Sequence, residues 1–302
     1  RGASACSGSQ IMPIGIVAHE TGHGFGLPDL YDTNDETEGI GQWGLMSSGS
    51  FSSPLSPSRM EAWSLNQLGW VTLAPITAGG TYAFNAAPLS DSAFYVRVQG
   101  TNPRGEYFLF ENRQRQQSDS AMIRIHCRQA GNPPGCGGGL LIWHVDSAQI
   151  AQGGLFNDVN TGLIHGVAVV QADGYRNLDA SPDGVRCPVT SSSPSCSDCG
   201  DAGDLYPGSS NNPRFVFRTT PAALKNLDSS FVGFGIDQVQ QLVLDNALSF
   251  RIRFELTVVR ASDTTAAVQF EGAPYSVFRD VLDEGGAYAV DFQDGQISAN
   301  GR

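Results

Sequence analysis

Two histidines with a glutamate between them are the residues of this chain best suited to chemistry. They occur as His19-Glu20-Thr21-Gly22-His23, which matches the H-E-x-x-H pattern of zinc sites. Residues four apart lie on one face of a helix, so both imidazoles can bind one ion at about 2.0–2.1 Å. Glu20 lies beside them and can act as general base on a water whose pKa zinc lowers to about 7.

The residues after this motif predict a third ligand. The sequence continues as Gly24-Phe25-Gly26-Leu27-Pro28-Asp29. Glycine at position 26 allows a positive φ and a sharp reversal after the helix, which can bring Asp29 back towards the histidines. Three protein ligands and one open position are typical of catalytic zinc, whereas structural sites are closed. The sequence therefore predicts a catalytic zinc centre with three ligands: His19, His23 and Asp29.

Two helices are predicted around this motif. The first spans residues 11–27, with Pro13 at its start, and the second runs from about Ser58 to Leu68. A gluzincin arrangement, in which a glutamate of a later helix is the third ligand, is an alternative, with Glu61 as its candidate. The flanks of Glu61 lack the acidic partner usual in such motifs, so a solvated helix face is the favoured interpretation of this residue.

After Trp70 the sequence has the residue pattern typical of β-strands. Short runs rich in β-branched and aromatic residues alternate with turn clusters, which predicts strands. The runs are Thr81–Phe84, Ala93–Val98, Tyr107–Glu111, Leu140–Val145, Val167–Gln171, Phe215–Phe217 and Leu248–Val258. The predicted fold class is therefore α+β, with a helical zinc-site part followed by a β-rich, sandwich-like region.

Longer segments around the zinc motif resemble a known family. The segments 19–32 and 43–50 are similar to the immune inhibitor A-type secreted metallopeptidases of bacteria, which are metzincin-type enzymes with an aspartate as third zinc ligand. Further similarity follows in segments 62–71, 108–113, 139–146 and 172–208. The resemblance spans roughly residues 11–255 and implies an extracellular zinc endopeptidase with broad protein substrates.

The same resemblance implies roles for individual residues. It implies that Glu20 is the general base and that the zinc ligands are His19, His23 and Asp29. Met46 matches the methionine of the Met-turn, which forms a hydrophobic floor beneath the metal site. Some metzincins have a tyrosine two residues after that methionine. Ser48 stands there in this chain, so this segment assigns no transition-state tyrosine.

Three parts are expected along the chain. Residues 1–72 are expected to form the C-terminal portion of a zincin/metzincin-like catalytic domain whose upstream part is missing. Residues 73–255 form the β-rich region, and residues 256–302 begin a further β module or tail. In zincins of this kind, a sheet ahead of the active-site helix holds the substrate backbone. We therefore expect residues 1–302 alone to bind zinc weakly without being a competent peptidase.

The six cysteines indicate an oxidising compartment. Five of the six lie in Gly/Pro/Ser-rich stretches, which favours disulfides in a secreted protein. Cys127 and Cys136 flank a turn-rich loop, so we expect a disulfide between them. The alternative is a zinc knuckle that uses Cys196 and Cys199 with two further cysteines.

Acidic loops offer a second metal hypothesis. Calcium prefers six to eight oxygen ligands from carboxylates and carbonyls, and the candidate ligands are Asp173, Asp179, Asp201 and Asp204. None of these loops matches the EF-hand pattern, and solvated turns explain the residues about as well. His144, on an apolar strand, is expected to be a packed and hydrogen-bonded histidine.

Charge and hydropathy exclude several classes of function. The formal net charge is −12, which disfavours binding to nucleic acids and anionic lipids. A run of about 18 apolar residues, as a membrane-spanning helix needs, is absent from the sequence. The resemblance to the immune inhibitor A-type metallopeptidases implies protein or peptide substrates as the partners. The alternative function is a non-catalytic secreted surface or adhesion module with a relic zinc site, although the intact Glu20 speaks against a relic.

Overall fold

The fold of this chain is α+β, as predicted, and is seen in a computed structural model. The structure describes residues 14–53, 56–122, 136–154, 156–179, 200–242 and 247–254, together with the backbone of four short strands beyond them. Within these ranges no helix is both long and apolar enough to cross a membrane.

Helix α1 spans Ile14–Gly24 and carries the zinc motif. It lies within the predicted range and ends in a Schellman turn, in which Gly26 N–H donates to the His23 carbonyl at 2.9 Å and Leu27 N–H to the Gly22 carbonyl at 3.1 Å. Gly26 has a φ of 90°, a conformation that glycine adopts without strain. The chain therefore reverses direction directly after the helix.

Helix α2 is shorter than predicted and spans Ala62–Gln67. Glu61 precedes it as the N-cap residue, and its Oε1 accepts a hydrogen bond from Ser64 N–H at 2.9 Å. The side chain of Glu61 thereby satisfies one of the free N–H groups of the first turn. A third helix, α3, spans Ser147–Gly153 and is capped by Asp146.

A five-stranded mixed sheet forms the middle of the molecule, with strand order β1-β3-β4-β5-β6. The pairing of β1 with β3 is parallel, and the other three pairings are antiparallel. The strands are β1 Thr72–Pro75, β3 Ser92–Arg97, β4 Tyr107–Gln114, β5 Gly138–Val145 and β6 Val167–Val169. Strand β6 ends two residues before the predicted Gln171.

A second sheet has three antiparallel strands in the order β2-β8-β7. They are β2 Gly80–Phe84, β7 Phe234–Gln241 and β8 Leu248–Phe254. The predicted strand at Phe215–Phe217 is reduced to a single bridge between Phe215 and Ile236. Two short antiparallel pairs follow, formed by β9 Val258–Ala261 with β10 Thr265–Val268 and by β11 Phe292–Gln293 with β12 Gln296–Ile297.

The five-stranded sheet is buried on both faces. On β4, Phe108 and Phe110 pack in one hydrophobic cluster with the three-stranded sheet, while Leu109 between them belongs to another cluster with Trp43 and Met46 of the metal-site segment. This alternation is the two-residue period of a strand. The described molecule therefore has three layers: the metal-site segment, the five-stranded sheet and the three-stranded sheet.

Candidate metal centre

The two histidines of α1 are oriented by backbone carbonyls. His19 Nδ1 lies 2.8 Å from the Leu45 carbonyl oxygen, and His23 Nδ1 lies 2.8 Å from the Leu27 carbonyl oxygen. A carbonyl oxygen only accepts, so the Nδ1 atom of each ring carries the proton. Nε2 is therefore the ring atom left to bind a metal, which is the usual orientation of zinc-ligating imidazoles. In the structure His19 Nε2 is hydrogen-bonded to Asp29 Oδ1 at 2.9 Å, a contact that a bound metal would replace.

The third predicted ligand meets both of these nitrogen atoms. Asp29 Oδ1 lies 2.9 Å from His19 Nε2 and 3.3 Å from His23 Nε2. Tetrahedral coordination at 2.0–2.1 Å places ligand atoms about 3.3 Å apart. Two nitrogen atoms and one carboxylate oxygen are also a donor set that zinc prefers. The three side chains therefore fit a zinc ion with one position left for water or substrate.

Asp29 is held as an anion by its neighbours. Its side chain is buried, which by itself raises the pKa of a carboxyl group, but hydrogen bonds to His19, Asn157 and Tyr31 hold the pKa of Asp29 below its ordinary value. The ring of Tyr31 also stacks on His19, with centroids 6.4 Å apart. The carboxylate is therefore in its metal-binding form at neutral pH.

Glu20 lies on the same helix but outside the ligand group. Its side chain is exposed, whereas the described residues bring together only His19, His23 and Asp29 as a trio of potential metal ligands within 4.8 Å. Glu20 is close enough to His19 for its charge to act on that imidazole. Glu20 therefore lies next to the ligand group without belonging to it.

Met46 lies beneath α1, within a turn that also orients other groups of the site. Met46 is fully buried, and a Cβ atom added to Gly22 would lie 2.4 Å from its sulfur. The Met46 carbonyl accepts a hydrogen bond from Leu30 N–H at 2.8 Å, and the preceding residue, Leu45, supplies the carbonyl that orients His19. The turn thus contacts the helix and the third-ligand segment together.

A buried charged pair on the central sheet supports this turn. Arg113 on β4 donates from Nε and Nη2 to Asp119 at 2.6 and 2.7 Å, and from Nη1 to the Trp43 carbonyl at 2.8 Å. The indole Nε1–H of Trp43 donates to Asp204 at 2.8 Å. Trp43, three residues before Met46, is therefore held from two sides by residues that sequence reasoning did not assign to the site.

Glu61 is not placed to be a zinc ligand. Its side chain is fully buried and caps α2, so both the gluzincin alternative and the expected solvated helix face are wrong for this residue. The reason is local: its carboxylate is used by Ser64 N–H at the start of the helix.

The four aspartates proposed for calcium do not form one site. Asp173 and Asp201 both lie against Gly203, and Asp204 accepts hydrogen bonds from Trp43 and from Asp201 N–H. Asp179 lies elsewhere, paired with Arg176 at 2.8 Å. Within the described residues no three of these carboxylates converge as potential ligands. Calcium therefore gains no support here.

The remaining expectations fall into two groups. His144 is packed and hydrogen-bonded, as predicted: its ring stacks on Phe108 at 4.2 Å, and its Nε2 lies 2.7 Å from Glu106.

Cys136 is buried, but Cys127 lies outside the described residues, as do the other four cysteines, Cys6, Cys187, Cys196 and Cys199. The disulfide between Cys127 and Cys136 stays a prediction.

Comparison with known proteins agrees with this geometry. No curated protein and no solved structure matches the chain. Residues 9–74 match the family model described as immune inhibitor A peptidase M6, catalytic domain, and this segment contains all three potential zinc ligands. The match indicates a metallopeptidase and confirms that the metal-site segment resembles the immune inhibitor A-like M6 peptidases.

Proposed function

We propose that this protein is a zinc-dependent endopeptidase that hydrolyses peptide bonds of extracellular proteins. The observation that carries the proposal is that His19 Nε2 and His23 Nε2 both lie close to Asp29 Oδ1, at 2.9 and 3.3 Å, with all three ligand atoms within 4.8 Å of one another. The match of residues 9–74 to a peptidase family supports the choice of reaction. Protein or peptide substrates follow from that reaction.

The residues around the site have separate tasks in this proposal. When bound, zinc supplies Lewis-acid chemistry, which lowers the pKa of water to about 7 and polarises a carbonyl. Glu20 takes a proton from the attacking water and passes it to the leaving amine. The carbonyls of Leu45 and Leu27 hold the two imidazoles in the tautomer that ligates metal. Met46 provides the apolar floor below them.

We further propose that the protein acts outside a bacterial cell, as the resemblance implies. The even number of cysteines, five of them in loop-like stretches, supports an oxidising compartment. Mass spectrometry of the non-reduced secreted protein is expected to show Cys127 and Cys136 joined by a disulfide. Free thiols at both positions would contradict this part of the proposal.

A set of variants in the full-length protein tests the function. Glu20→Gln should keep zinc but lower the rate of hydrolysis of a quenched casein substrate about 10²–10⁴-fold, the usual contribution of a positioned general base. Asp29→Ala should lower both the zinc content and the rate. Glu61→Gln should keep zinc, and Glu36→Gln, in an exposed loop after the site, serves as the matched control for Glu20→Gln.

The outcomes separate the proposal from its alternative. Near-native hydrolysis by Glu20→Gln would exclude Glu20 as the base. Loss of zinc in Glu61→Gln, with zinc retained in Asp29→Ala, would exclude Asp29 as the third ligand. A wild-type protein that binds zinc but hydrolyses no protein substrate would favour the surface or adhesion module.

A further inference from the structure

One side chain from the β-rich part of the chain contacts the third ligand at two points. Asn157 Oδ1 accepts a hydrogen bond from Asp29 N–H at 2.6 Å, and Asn157 Nδ2 donates to Asp29 Oδ2 at 2.5 Å. The two residues are 128 positions apart in the sequence. The amide thus bonds the backbone and the side chain of Asp29 simultaneously, which fixes the orientation of the carboxylate.

These two bonds leave the other carboxylate oxygen in a defined place. With Oδ2 taken by Asn157, Oδ1 is the atom that faces His19 Nε2 and His23 Nε2. A carboxylate that could rotate freely would populate this geometry only part of the time. A partner that supplies both an acceptor and a donor removes this freedom, and an asparagine amide supplies both.

The backbone around Asn157 is itself fixed against the third-ligand segment. Asn157 has a φ of 60°, a left-handed conformation that asparagine tolerates better than most residues. Next to it, Thr33 donates to Asp158 at 3.2 Å, and the buried Asn160 donates to the Leu30 carbonyl at 2.8 Å. Residues 157, 158 and 160 are therefore each hydrogen-bonded to a residue of segment 29–33.

We infer that Asn157 is a positioning residue for the third metal ligand. It contacts Asp29 and leaves the metal to the three ligands, so its effect is on metal affinity and geometry. This inference rests on the proposed zinc site. Groups that orient metal ligands in this way typically contribute 10–100-fold to metal affinity.

The test compares three single variants of the full-length protein with the wild type. Asn157→Gly removes both hydrogen bonds and tolerates the positive φ. Asn211→Gly is the matched control, because Asn211 is also an asparagine with positive φ, at 54°, in an exposed turn. Thr33→Val removes a hydrogen bond between the same two segments without touching Asp29. Zinc affinity is measured by competition with a chromophoric chelator, and the visible spectrum of the cobalt-substituted protein reports on the geometry of the site.

The inference predicts that Asn157→Gly weakens zinc binding about 10–100-fold and alters the cobalt spectrum, while Asn211→Gly and Thr33→Val leave both unchanged. Urea unfolding of the metal-free proteins shows whether stability changes separately from affinity. Equal zinc affinity in Asn157→Gly and wild type would overturn the inference, as would an equal loss in Thr33→Val, which would indicate that the bonds only join two loops. A wild-type protein without zinc affinity would overturn the proposed function, and with it this inference.

Discussion

Individual buried carboxyl groups near the metal segment link the stability of this protein to pH. Glu61 is fully buried, and its Oε2 has no hydrogen-bond partner among the residues that the structure describes. Burial raises the pKa of Glu61 and, on β4, of Glu111. A carboxyl group with a raised pKa holds its proton more tightly in the folded than in the unfolded state. The free energy of unfolding therefore falls as pH rises from the unfolded value, about 4.3, to the folded value.

Glu61→Gln should remove the contribution of Glu61 to the pH dependence of the free energy of unfolding. Glutamine keeps the side-chain oxygen that caps α2 but carries no charge. The free energy of unfolding of the variant, relative to wild type, should therefore rise with pH from about pH 4, by at most about 1.4 kcal/mol per pH unit, and level off above the folded pKa. Urea unfolding of both metal-free proteins between pH 4 and pH 8 measures this difference in the free energy of unfolding. A difference that stays constant with pH would contradict the account.

The candidate ligands could be predicted from sequence, but the residues that orient them could not. The spacing of His19, His23 and Asp29 is set by one helix and one turn, which are local. Asn157 lies 128 residues after Asp29, and its sequence context indicates only a polar turn. Tyr31 lies within the motif, yet nothing in the sequence indicates that its ring stacks on His19. Tertiary contacts of this kind have no local sequence signal.

Among the structural elements, the turn that carries Met46 depends most on buried charge. Arg113 is fully buried and is neutralised by Asp119, while its Nη1 donates to the Trp43 carbonyl. Trp43 lies three residues before Met46 in the same turn. The Arg113–Asp119 pair therefore fixes the turn that carries Met46 to the central sheet. Removing one partner of a buried pair leaves an uncompensated charge, which typically costs about 3–5 kcal/mol.

Asp119→Ala should therefore lower the free energy of unfolding by about 3–5 kcal/mol. Arg176→Ala is the control, because Arg176 pairs with Asp179 at the surface with 73% of its side chain exposed. Surface pairs of this kind contribute less than about 1 kcal/mol. Chemical denaturation of the two variants and the wild type measures both effects. If the two variants lost similar stability, the buried pair would not hold the turn as we describe.

Buried polar and charged side chains explain why the bounds of strand β4 and helix α2 differ from those predicted. Strand β4 continues to Gln114, whereas the sequence predicts its end at Glu111. The prediction is too short because Asn112 and Arg113 are polar residue types that are usually exposed to solvent. The structure buries them against partners from other segments. Helix α2 begins later than expected because a glutamate caps it, although shorter polar residues are preferred at that position.

At the scale of the whole molecule, the metal-site segment and the central sheet share one hydrophobic cluster. The cluster includes Leu27, Trp43 and Met46 before residue 72 and Leu141, Trp143 and Leu205 after it. The runs of β-branched and aromatic residues at β4 and β5 predicted strands, but they did not indicate that both faces of the sheet are covered or that β1 pairs in parallel with β3. The expected division of the chain at residue 72 remains a prediction, and contacts from Asn157 and Arg113 cross that position.

The central claim is that His19, His23 and Asp29 hold a catalytic zinc ion, and anomalous diffraction at the zinc absorption edge tests it most directly. Crystals of the zinc-loaded, full-length protein should show one anomalous peak about 2.0–2.1 Å from Nε2 of each histidine and from a carboxylate oxygen of Asp29. Glu20 should lie beside the peak without ligating it. A zinc peak that lacks Asp29, or one coordinated by Glu61 in its place, would contradict the account.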